Sequence, residues 1–367
     1  MHRSLSMAAT ATGFAAALTL ACSDSSDPSA ESATTPAIST ASSSPRLTAQ
    51  RSGTTNRLQA ISPVNAQVVW ASGINGTYTV TTNGGRTWHA GVVPGAELLQ
   101  FRDVEAVSAS EAYLLAAGVG TDSRVYKTVD GGHTWKLQFK NRDPNGFYDC
   151  FAFWTPDRGI TMADAVNGRF PVIRTTDGRH WSNISSHLPA AQAGEAAFAA
   201  SGTCVATQGT NRAWIGTGGA AKARILRTSD GGNTWKAYKT PIVQGTASSG
   251  VITVAFRDAS HGILAGGELA APTQFSDNVA VSTDGGRTWQ LAKRTPFPGA
   301  AYGLSYVGGS RENNVVITGP GGAAWSRTEG QSWHLLPGVQ NYWAVAFAGP
   351  DDGWLVGTEG RILKVEF

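Results

Sequence analysis

The chain has 367 residues and a formal charge of +3, from 29 basic and 26 acidic residues, with only 15% of residues charged. Glycine is plentiful at 44 residues and tryptophan at 12, while methionine is scarce at 3. A turn-rich, aromatic-rich, weakly charged chain suits an all-β protein and excludes a helical bundle or a disordered polyampholyte. Its small, unclustered charge gives nucleic acid or an anionic membrane surface no electrostatic hold.

The chain opens with His2 and Arg3, an apolar run over 7–21, and Cys22. Fifteen residues are too few for a membrane-spanning helix but match the apolar core of a secretory signal. Residues 23–45 are almost wholly Ser, Thr, Ala, Asp and Pro, a composition that cannot bury enough apolar area to fold. The expected organisation is a signal over 1–21, a disordered tether over 22–45 and one folded domain over 46–367. Leu18-Thr19-Leu20-Ala21-Cys22 resembles a bacterial lipobox, with Thr19 where that motif prefers Leu. The resemblance implies a lipidated Cys22 and a protein anchored at the cell envelope. Without lipidation the expectation is secretion.

Six segments of the folded part share one pattern. The first is Thr81-Thr82-Asn83-Gly84-Gly85-Arg86-Thr87-Trp88; the others centre on Asp130, Asp177, Asp230, Asp284 and the degenerate Glu329. Their tryptophans lie 47, 46, 54, 54 and 44 residues apart. A period near 40–50 with β-type sequence between the marks predicts propeller blades. Asp-Gly-Gly predicts a hairpin turn: the carboxylate accepts from following amides, glycine takes the positive-φ position, and the Trp packs between blades.

These segments resemble the Asp-box (BNR) repeat of sialidase-like propellers. That resemblance implies that the six box residues are structural hairpins on the blade periphery, away from any active-site face. Between boxes each unit reads as three further strands, such as Val104–Val107, Ala112–Ala117 and Arg124–Lys127 in the second. The last unit stops after three strands, while Leu47–Arg51 stands as an orphan strand before the first. An open edge invites aggregation, so the orphan is expected to complete the last blade. The prediction is an all-β, seven-bladed propeller of four-stranded antiparallel blades. Segments such as Trp354-Leu355-Val356-Gly357-Thr358 also resemble secreted seven-bladed propellers related to photosystem II assembly and stability factors, which implies a protein-binding scaffold.

Aligning inner strands by an apolar-Ala-apolar core puts Asn56, Arg102, Tyr148, Glu195, Val251, Tyr302 and Tyr342 around one mouth of the channel. Loops 142–149 and 164–171 add Asp149, Asp164 and Arg169 beside Tyr148, and 267–278 is an insertion in the fifth blade. Cys150 and Cys204 fall on neighbouring blades, and sequence alone leaves their pairing open. The seven histidines are scattered without metal-ligand spacing, and no cofactor fingerprint or nucleophile elbow is present. Neither metal nor cofactor is therefore expected.

Two function classes follow. One is a non-catalytic, monomeric propeller binding a protein or glycan at the envelope, reaching the membrane only through its lipid. The other is a sialidase-type glycoside hydrolase acting on an acidic sugar. Its Tyr–Glu nucleophile pair would come from Tyr148 or Tyr342 with Glu195, its acid/base from Asp149 or Asp164, and its carboxylate clamp from Arg102 and Arg169. Against it, the Phe-Arg-Ile-Pro stretch of sialidases is absent and the blade count is seven instead of six.

Overall fold

The computed structural model describes residues 44–309 and 311–367. The signal, most of the tether and Cys22 lie outside the described residues. Among those described, twenty-eight strands form seven antiparallel four-stranded sheets. Each sheet of blades 1–6 is built from four consecutive strands, with a box hairpin joining the third to the fourth. Blade 7 combines Tyr342–Gly349, Asp352–Gly357 and Arg361–Glu366 with the N-terminal Arg46–Arg51. That strand pairs along its whole length with the last one, from Arg46 opposite Glu366 to Arg51 opposite Arg361. The ring is closed as the sequence predicts.

The core sits between blades. Seven buried clusters each span one blade interface, so every sheet is covered on both faces. At the junction of blades 7 and 1, Trp354 and Leu58 are fully buried against Val69 and Trp88. Inner and middle strands buried on both faces read as near-continuous apolar runs, such as Ala112-Tyr113-Leu114-Leu115-Ala116. Burying one such aromatic or aliphatic side chain contributes about 1.5–3 kcal/mol.

The boxes are turn caps and also staples. In blade 5, Ser282 Oγ accepts from Gly286 N (2.8 Å), and Asp284 Oδ1 accepts from Thr288 N (2.9 Å). Thr288 Oγ1 donates to Asp284 Oδ2 at 2.7 Å. Gly286 has φ +84°, and a Cβ there would lie 2.8 Å from the Trp214 indole nitrogen, so only glycine fits. In four boxes the carbonyl of the first glycine accepts a donor from the blade before it. Gln50 reaches Gly84, Tyr113 reaches Gly178, Arg174 reaches Gly231 and Trp214 reaches Gly285. In blade 2 the acceptor is Gly132, bonded by Tyr78. Asn83 and His180 adapt the motif. Asn83 Nδ2 donates to Thr87, and the His180 ring meets Asp177 at 2.6 Å in the shortened third box.

The sixth box corrects one expectation. Thr328, not Glu329, holds the Asp position: Thr328 Oγ1 accepts from Ser332 N (3.0 Å), and Ser326 Oγ accepts from Gly330 N (2.9 Å). Glu329 sits at φ 49° and turns toward blade 5, accepting from Arg257 Nε of that blade at 2.5 Å and from the Tyr306 hydroxyl of its own blade. A neutral hydroxyl at the box position leaves the neighbouring glutamate free to staple two blades. Asp284→Ala removes four hydrogen bonds from one hairpin, those from Ser282 Oγ, Arg287 N, Thr288 N and Thr288 Oγ1, and should destabilise by about 1–2 kcal/mol, the scale of a lost turn cap. Urea unfolding measures it; an unchanged midpoint would show that the box adds nothing to stability.

Candidate functional site

Each inner strand starts at the channel mouth and runs toward the box face. Five inner strands are bulged near their start, at the second residue in four blades and at the fourth in blade 5: Gln59, Arg102, Asp149, Trp343 and Ile252 are each skipped by the ladder to the neighbouring strand. A bulge re-aims one side chain while its neighbours keep their pairing. The residue before each bulge therefore packs inside the blade. Tyr148 (4% exposed) and Tyr342 (9% exposed) are core residues, and Asp149 and Trp343 take the mouth positions assigned to them by sequence. Of the seven aligned positions, Arg102 and Tyr302 line the mouth cavity.

That cavity has a volume of about 320 Å³. Its walls are aromatic: Tyr302 stands edge-on to Trp343 at 5.5 Å, and Phe147 and Phe198 lie opposite. The Arg57 guanidinium lies 5.0 Å from the Trp343 ring centroid, and that of Arg102 lies 5.9 Å from Phe147. Arg102 is held in place by Gln100 Oε1 (2.9 Å) and the carbonyl of Ala199 (3.2 Å). Three buried polar atoms on this wall have no hydrogen-bond partner: Arg57 Nε, Gln59 Oε1 and Asp149 Oδ2. Buried polar groups are nearly always satisfied, so three at one cavity mark a place for water or a ligand.

Asp149 and Asp164 form a coupled carboxyl pair there. Burial raises Asp149 well above the usual carboxylate range, with the Asp164 charge adding to it and Arg102 opposing. Burial also lifts Asp164 to about 6, against the pull of the Ala197 amide that it accepts at 3.0 Å. Two close carboxyls in one desolvated site disfavour each other's charge, which raises both above the usual carboxylate range.

The remaining candidates are placed elsewhere. Arg169 is exposed on a groove between blades 2 and 3, of about 680 Å³, which also contains Arg142, Trp181 and one edge of Tyr148. The Tyr148 ring packs against Phe139, and burial pushes its hydroxyl up to about 12. Glu195 is 1% exposed and saturated: it accepts from Arg224 Nε (2.8 Å), Thr217 Oγ1 (2.6 Å) and Gln192 N (2.8 Å). Arg224 makes a second contact through Nη2. The Tyr–Glu pair that a sialidase needs is not assembled, because Tyr148 belongs to a blade core and Glu195 to an ion pair. Cys150 and Cys204 do come together as a disulfide between blades 3 and 4, with Cα atoms 5.9 Å apart. Among the described residues no cluster of three potential metal ligands occurs.

Below the mouth, Asp103 and Glu105 face the channel from one strand. Burial raises both carboxyls, Glu105 to about 7, whereas the exposed box residues Asp130 and Asp284 are lowered to about 2 by hydrogen bonds to their hairpin threonines. A carboxyl depressed in the folded state contributes stability above its unfolded value near 4 and loses it toward pH 2. A raised carboxyl does the opposite, so stability falls as pH climbs from about 4 to 7. Thermal stability should therefore peak near pH 4. Glu105→Gln should raise the melting temperature at pH 8 by roughly 2–4 °C, about 1 kcal/mol in a domain of this size, with no gain at pH 4. Melting curves at both pH values check this; equal shifts would place Glu105 in open water.

The BNR/Asp-box repeat family matches residues 280–291, which contain the fifth box. The Photosystem II assembly lipoprotein Ycf48 of Nostoc sp. (strain PCC 7120) is 25% identical over 284 residues, covering 68% of this chain and 79% of that protein. Among solved structures, YCF48 bound to D1 peptide superposes with a TM-score of 0.62 at 16% identity, over 88% of this chain and 97% of that one. YCF48 from Cyanidioschyzon merolae gives 0.61 at 16% identity, over 87% and 98%. The WD40 propeller of Doa1, at 0.56 and 14% identity over 88% and 97%, shares the fold alone. The boxes and the seven closed blades make the chain a seven-bladed β-propeller with Asp-box hairpins, similar to the BNR/Asp-box repeat at its fifth box and to Ycf48 over about two thirds of its length.

Proposed function

We propose that this chain is a non-catalytic propeller that binds a protein partner through its channel mouth, as an assembly or stability factor held at the cell envelope by a lipid on Cys22. The observation that carries this reading is the wall of Arg57, Gln59 and Asp149, whose buried polar atoms lack partners beside the exposed edges of Trp343 and Tyr302. Arginine and large aromatics around a partly desolvated pocket are the composition of protein-binding hot spots. A related propeller solved with a bound D1 peptide shows that this architecture can hold a protein segment. The lipoprotein relative supports the tether.

The hydrolase reading loses its nucleophile with the placement of Tyr148 and Glu195, although the Asp149–Asp164 pair stays at the mouth. The test is capture from envelope extracts by the mature chain, run beside hydrolysis assays on sialosides. Specific capture that survives detergent washing, with no turnover, is expected. Turnover sensitive to Asp149→Asn, without capture, would reverse the assignment.

A further inference from the structure

Blade 4 differs from the other six. Its paired inner strand begins only at Val205, although Phe198-Ala199-Ala200 has the apolar-Ala-apolar look of one. The eight residues before Val205 leave the blade and cross the ring. Ala197 N donates to Asp164 of blade 3, and the Ala199 carbonyl accepts from Arg102 of blade 2. Ser201 Oγ donates to the Tyr302 carbonyl at the edge of blade 6 (2.5 Å). Thr203 bonds Thr253 of blade 5 through its hydroxyl (2.8 Å) and accepts from Val254 N (3.0 Å). Cys204 then returns to blade 4, tied to Cys150 of blade 3. A segment of one blade that reaches four others must lie across the channel axis.

Small residues make the crossing fit. Gly202 has φ +78°, and a Cβ there would stand 2.3 Å from the Asp103 carboxylate. The crossing also divides the channel. Ala197–Ala200 floor the mouth cavity, while Ser201–Thr203 roof a separate cavity of about 280 Å³ that contains Asp103 and Glu105.

We propose that Ala197–Thr203 is a fixed strap that makes the mouth a blind cup, so that a partner is read by a projecting side chain or turn and not by a chain threaded through the ring. This rests on the mouth being the partner site. The strap sets the depth of the cup, and at about 320 Å³ the space suits one or two side chains. The disulfide and the Ser201 and Thr203 hydroxyls act as positioning groups, since they hold the strap from its channel side without facing the partner.

Hydrogen exchange of residues 196–204 tests the strap without any ligand. The full mature chain should show protected amides there. Ser201→Ala with Thr203→Val should speed their exchange at least ~10-fold while blades 1 and 7 stay unchanged; Cys150→Ser with Cys204→Ser provides an independent loosening. Ala200→Phe, which fills the cup from its floor, should cut capture of an envelope partner by ~10-fold or more, the size of a hot-spot loss, at an unchanged melting temperature. Exchange at open-loop rates in the wild-type protein, or exchange unmoved by both loosening pairs, would overturn the strap. Undiminished capture by a folded Ala200→Phe protein would overturn the cup. If the wild-type chain captures nothing, the proposed function fails, and the exchange experiment still decides the strap.

Discussion

Deleting Arg46–Arg51 should lower the melting temperature by roughly 10 °C or more, whereas deleting residues 23–43 should leave it within about 2 °C. The strand makes a six-residue ladder with Arg361–Glu366, and its removal exposes that edge to solvent. At roughly 0.5–1.5 kcal/mol per ladder hydrogen bond, the lost bonds of a six-residue ladder amount to roughly 3–9 kcal/mol, and a domain of this size shifts ~2–4 °C per kcal/mol. Gln50 adds a second role, since it bonds Gly84 in the first box and accepts from the Trp88 indole at 3.0 Å. The deleted protein should also aggregate, because a free edge strand pairs with other chains. Equal melting temperatures for the two truncations would mean that the ring is not closed by this strand.

The second large effect lies at the mouth. Arg57→Ala combined with Trp343→Ala should weaken partner capture by about 100-fold or more, given ~2 kcal/mol or more for a hot-spot side chain. Both side chains stand on the cavity wall and half-exposed, so the melting temperature should move by only a few degrees. An Arg169→Ala variant, altered in the separate groove between blades 2 and 3, should bind normally. Loss of capture in Arg169→Ala with full capture by the double variant would move the site to that groove.

The architecture was legible because its marks are local. A box is eight residues whose hydrogen bonds close on themselves, and the missing fourth strand of the last unit asks for a partner that only the orphan strand can supply. The site was legible in part. Arg102, Asp149, Asp164 and Tyr302 were named from sequence and share one cavity, while Arg57, Gln59, Phe198 and Trp343 were missed. The cause is the bulge, which breaks the two-residue alternation at the second inner-strand position and exchanges Tyr148 for Asp149 and Tyr342 for Trp343. Phe198–Ala200, whose pattern aligned Glu195 with the mouth, differs for another reason: its pattern is that of an inner strand, and only contacts distant in sequence reveal a crossing. In the sixth box, Glu329 has the right chemistry one residue out of step, and the hydroxyl of Thr328 gives no charge to mark its place.

A photoreactive benzoylphenylalanine placed at Tyr302 and, separately, at Val129 tests the central claim most directly. Tyr302 stands in the mouth, and Val129 is 66% exposed within the second box on the opposite face. Irradiation in envelope extracts should give a discrete protein adduct from position 302 and none from position 129. An adduct from position 129 alone would put the partner on the box face and contradict the account.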